Sequence, residues 1–76
     1  MSIDREKILQ QLARVMNQMA EGEETVARHR MAVAESERDG RQVSLALKML
    51  KYAEHVQMIH LTEQRRLEKI LGKKNQ

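Results

Sequence analysis

The sequence predicts an all-α fold, an antiparallel two-helix hairpin that pairs into a dimeric four-helix bundle, and three observations carry that prediction. The 76 residues contain one aromatic, Tyr52, and no proline, whereas strands and their turns draw on aromatic, β-branched, glycine and proline residues. Apolar residues recur at alternating steps of four and three on both sides of the chain's midpoint, the spacing of a helix face. Between the two periodic stretches stands a single strong turn signal, Asp39-Gly40.

Helix 1 is expected over about residues 4–38. From Ile8 the alternating steps reach Leu12, Val15, Met19, Gly22, Val26, His29, Val33 and Ser36, one stripe along the whole helix. Ser2 or Asp4 supplies the N-cap, and Asp4 and Glu6 suit the positive end of the helix dipole. Gly22 lies inside this helix with helix formers on both sides. It costs about 1 kcal/mol relative to alanine there, so a packing reason is sought for it.

The turn is placed at about 39–41 and helix 2 at about 42–71, with Gly72 as a C-cap and a polar tail over 72–76. Helix 2 carries two stripes. One reads Ala46, Leu50, Ala53, Gln57, His60, Gln64, Leu67 and Leu71; beside it run Met49, Tyr52, Val56, Ile59, Glu63 and Ile70. Two stripes call for two neighbours. The first packs on helix 1; the second, through Met49, Tyr52, Val56 and Ile59, is the expected dimer face. A lone hairpin of this size leaves too much of its core wet, and pairing of two copies removes that problem. With the turn at Gly40, facing residues should sum to about 80–84. That register sets Val15 near Leu67, Val26 near Glu54 and Gln57, and Gly22 beneath the ring of His60. A helix-crossing polar core of Gly22, Glu23, Glu54 and His60 follows, with His60 hydrogen-bonded to Glu23 or Glu54.

Gly22-Glu23, Ala27-Arg28, Glu37-Arg38-Asp39-Gly40, Ala46, Leu50, Glu54, His60 and Leu67 together resemble a family of short helical-hairpin proteins of proteobacteria, rhizobial species especially. The resemblance spans roughly residues 15–70 and implies a hairpin fold. It implies no activity, since none is established for that family. The chain departs from the pattern at Gln42, where the family often has Asp, and at Ala53, where it often has an aromatic residue.

Composition and motifs narrow the functional classes. There is no cysteine, hence no disulfide framework and no thiolate metal site. The charged N-terminus lacks the apolar run of a secretory signal, and no stretch approaches the roughly 18 apolar residues of a membrane span. A soluble, cytoplasmic chain is expected. No phosphate-cradling glycine loop is present, and Ser2, Ser36 and Ser44 form no nucleophile set. No catalytic residue, cofactor or metal is therefore expected. His60 and Glu63 have the reverse of the Glu-x-x-His order used by di-iron bundles, which favours a structural role for His60.

Net charge is +3, but it is unevenly spread. Residues 21–39 are rich in Glu, whereas Arg65, Arg66, Lys69, Lys73 and Lys74 stand against Glu68 alone towards the C-terminus. A chain polarised in this way pairs with its own ends or with another copy before anything else. Of the six methionines, Met16, Met19 and Met49 are expected in the core, and Met31 and Met58 as exposed contacts. The expected role is a non-catalytic self-association or protein-interaction module, a homodimer with room for a protein partner. The alternative is a Rop-like RNA- or DNA-binding hairpin dimer that contacts phosphates through Arg65, Arg66 and Lys69. Without accessible aromatics for base stacking, that alternative has electrostatics alone to work with.

Overall fold

A computed structural model describes the backbone of residues 4–74 and the side chains of residues 4–72. The protein is an all-α hairpin of two long antiparallel helices, α1 (Arg5–Asp39) and α2 (Val43–Lys74). It is a rod of 58 × 17 × 14 Å.

Each end of α1 is closed by the chemistry its residues supply. Asp4 is extended, and its carboxylate accepts the Lys7 backbone N–H at 3.2 Å, satisfying one of the four donors a helix start leaves open. Ser2, the other candidate cap, lies outside the described residues. At the far end Gly40 turns left-handed with φ 69°, and its N–H and that of Arg41 both donate to the Ser36 carbonyl. Those are bonds of the left-handed cap that glycine adopts without a Cβ penalty. Gln42 is also left-handed, with φ 53°, so the reversal takes only three residues. Its carbonyl accepts the Ala46 N–H at 3.1 Å and opens α2.

One boundary differs by more than a residue. The helix runs through Gly72 to Lys74, where composition suggested a cap and a tail. Gly72 keeps a right-handed φ, since Gly40 is the one glycine among the described residues with positive φ. With helix-forming Lys73 and Lys74 beyond it, nothing local compels the helix to stop.

The core is thin and lies along the seam predicted from the stripes. Val15, Val26 and Val33 of α1 and Ala46, Ala53 and Leu67 of α2 are buried. Ile8, Leu12, Met19 and His29 on one side, and Leu50, Gln57, His60, Gln64 and Leu71 on the other, are half-buried. Valine and alanine at the contact bring the helices close but give each little apolar area to cover. Among the described residues only Leu67 is fully enclosed. Met16 and Met49, expected inside, are about half exposed; each stands beside the seam rather than on it.

Candidate interaction surfaces

The helix crossing is built on Gly22, but His60 is not the side chain it admits. A Cβ placed on Gly22 would overlap the side-chain amide of Gln57. That amide donates from Nε2 to the Met19 carbonyl at 3.0 Å, an anchor an imidazole one turn later does not reach. Gln57 and His60 share a stripe and stand one turn apart. A register summed from residue numbers cannot separate them, because each long side chain sweeps about a turn of the facing helix. The polar core is also smaller than expected. Glu23 is exposed. Glu54 is exposed as well and pairs with Arg30 at 3.6 Å, a solvated contact worth little. His60 is half-buried, and its enclosed Nδ1 has no partner among the described residues; the same is true of Gln57 Oε1.

His60 instead lines an open groove of about 830 Å³ with Val15 and Gln18 of α1 and Ile59, Glu63 and Leu67 of α2. The shared lining of Val15 and Leu67 agrees with the expected register. Arg66 closes one side and grips Glu63 in a fork, Nε to Oε2 at 3.0 Å and Nη2 to Oε1 at 2.6 Å. The hydrogen bond from Arg66, with its charge as a smaller cause, holds the Glu63 carboxyl below its usual value. The same bond raises Arg66. This pair is solvated, like that of Arg30 and Glu54. Among the described residues no three His, Asp or Glu side chains are placed to hold a metal.

The second stripe of α2 is uncovered as expected of an unpartnered face. Leu45 is 52%, Met49 47%, Tyr52 71% and Ile59 54% exposed, with Val56 half-buried between them. Its spacing of four and three makes it one continuous row beside the seam. A second row, not legible from apolar periodicity, lies on α1. Leu9, Met16 and Met31 are exposed there, 46%, 51% and 65%, with exposed Ala13, Ala20 and Ala27 between them, Ala34 beyond, and Glu23 and Glu24 interrupting the row. Alanine is indifferent to burial and marks no face by itself, so four of seven positions carried no signal.

Of the three expected phosphate contacts, Arg66 is held by Glu63. Arg65 and Lys69 are exposed and enter no ion pair among the described residues. No described helix is long and apolar enough to cross a membrane. No family model matches the chain, and no curated protein or solved structure matches it.

Proposed function

We propose that this hairpin is a non-catalytic module that binds copies of itself and, through the same surface, other helical proteins. The observation that supports this most is the exposed row of Leu45, Met49, Tyr52 and Ile59. Scattered exposed apolar residues need no explanation, but an ordered row of them along one helix is the mark of a docking face. The Rop-like alternative has less behind it. The one aromatic, Tyr52, stands more than three helical turns from Arg65, so the basic end offers phosphate contacts without a base-stacking surface.

Sedimentation equilibrium across the micromolar range tests the proposal. The wild type is expected to exceed the monomer mass and to dissociate on dilution. A folded monomer at every concentration overturns the reading. A salt-sensitive mobility shift with RNA, absent after Arg65→Ala and Lys69→Ala, would favour the alternative.

A further inference from the structure

The broad face that carries the exposed α2 row also carries a charged row of α1. Leu45 and Met49 share a cleft with Arg28 and Ala32, and Ile59 and Glu63 share the large groove with Arg14 and Gln18. Along that side of α1, at steps of seven, stand Lys7, Arg14, Glu21, Arg28 and Glu35. Seven residues make about two turns, so the five form one line. All are exposed, and none enters an ion pair among the described residues. The face is therefore split lengthwise, charged along α1 and apolar along α2 from Leu45 to Ile59.

We infer that a second copy covers this face about a two-fold axis that crosses α2 at Val56 and α1 between Glu24 and Thr25, so that the turns point to opposite ends and each helix lies antiparallel to its own twin. This rests on the self-association proposed above and specifies its geometry. The charges of α1 select the level of the axis. Their signs, from Lys7 to Glu35, run plus, plus, minus, plus, minus. An axis between Glu24 and Thr25 sets Arg14 against the partner's Glu35 and Glu21 against the partner's Arg28, each contact occurring twice by symmetry. Lys7 and Asp39, towards the ends of the row, then face the partner's uncharged Gln42 and Gln10. A slide of one heptad destroys the match in either direction. One way, Arg14 faces Arg28 and Glu21 faces itself; the other way, Glu21 faces Glu35 and Arg28 faces itself. One heptad register is self-complementary, and complementary charge fixes register by penalising the others.

The apolar residues of α2 select the same level independently. The contacts of Gly22 with Gln57 and of Arg30 with Glu54 bracket Thr25 and Val56 and set them abreast. About an axis at Val56 that residue meets its twin, and Tyr52, 71% exposed, lies over the partner's Ile59. There its ring enters the groove of about 830 Å³ floored by Val15, Ile59 and Leu67. Leu45 and Met49 reach the partner's Arg66 and Glu63, which are joined to each other. A two-fold axis along the rods would instead lay the apolar helix of one copy on the charged helix of the other, Leu45 on Glu35 and Ile59 on Glu21, and take carboxylates out of water without a partner. Glu24 and Arg38 of α1, and Arg41, Lys48 and Lys69 of α2, stand about 60° farther round each helix, on the outer edges of the face, where they keep their water.

Charge exchange tests the register. Arg28→Glu lowers the net charge from +3 to +1, which by itself favours association. It also sets glutamate against the partner's Glu21, and at low salt it is expected to weaken the dimer about tenfold. Adding Glu21→Arg restores opposite charges across the axis and is expected to return the affinity to within about threefold of the wild type. Within one chain the two residues are two turns apart and do not touch, so the rescue reads a contact between copies. Sedimentation equilibrium measures all three proteins, and circular dichroism establishes folding, with Arg14→Glu and Glu35→Arg as the second pair where helicity falls. A nitroxide on Arg41→Cys, the sole thiol of that variant, supplies a distance. It lies fifteen residues from Val56 and is expected about 45 Å from its twin by electron–electron resonance. A double variant that binds no better than Arg28→Glu alone, or labels within about 20 Å as turns side by side require, overturns this two-fold contact while leaving self-association standing. A wild type that stays monomeric at every concentration removes self-association itself.

Discussion

At the scale of a residue, the three glycines occupy three physical situations and should answer alanine with three different results. Gly22 packs under Gln57. There the helix propensity gained, about 1 kcal/mol, is offset by displacing an amide whose bond to Met19 is worth about 0.5–1.5 kcal/mol. Gly22→Ala is therefore expected to be close to neutral. In a Gln57→Ala background the new methyl no longer meets that amide, and the same substitution should stabilise by about 1 kcal/mol. A double-mutant cycle by urea unfolding measures the difference, and strict additivity would mean the two side chains do not meet. The cycle with His60→Ala is expected to be additive. That Gly22 sits at a close crossing was legible, since a mid-helix glycine needs a packing reason. The identity of its neighbour was not, because Gln57 and His60 differ by one turn and the choice turns on which end group finds a carbonyl.

At the scale of an element, Gly40 and Gly72 separate a cap from a helical residue that resembles one. Both follow a helical run and both precede polar residues, so the sequence treats them alike. Gly40 has φ 69° and receives the end of α1, whereas Gly72 is helical with nothing within 4 Å of an added Cβ. Gly40→Ala must hold an L-residue in the left-handed region, a cost of about 1–2 kcal/mol. Lower unfolded-state entropy returns about 0.4–1 kcal/mol of that, and a net loss near 1 kcal/mol is expected in denaturant unfolding. Gly72→Ala should instead stabilise, by up to about 1 kcal/mol and by less if the last turn frays. Equal effects at the two sites would contradict the boundary at Lys74. The helices themselves were legible because two stripes on a regular period leave few alternatives. The exposed α2 row was legible for the same reason, its members being large and apolar. The α1 row was not, since alanine at Ala13, Ala20, Ala27 and Ala34 fits a buried face and a wet one equally.

At the scale of the molecule, the rod carries more surface than its mass warrants. Its radius of gyration is 17.2 Å, against about 11 Å for a compact chain of this length. Its accessible surface is 6223 Å², where about 4,800 Å² is usual for a folded protein of its mass. A thin valine and alanine seam cannot offset that excess, so folding is expected to be coupled to association, and the stability of a protomer to depend on concentration. The form of the dependence separates a closed dimer from an open head-to-tail assembly. In a dimer two chains share one contact, and a tenfold rise in concentration adds about 0.7 kcal/mol per chain, half the usual 1.4 kcal/mol per decade. In an open assembly each added chain completes one whole contact, and the full 1.4 kcal/mol per decade goes to that chain. With about 4–8 °C of Tm per kcal/mol at this chain length, a dimer should gain roughly 3–6 °C per decade and an open assembly about twice that. Thermal melts over two decades of concentration, at low salt and above the dissociation range, measure the slope. The shallower value is expected for the wild type, and a Tm that does not move with concentration would remove self-association.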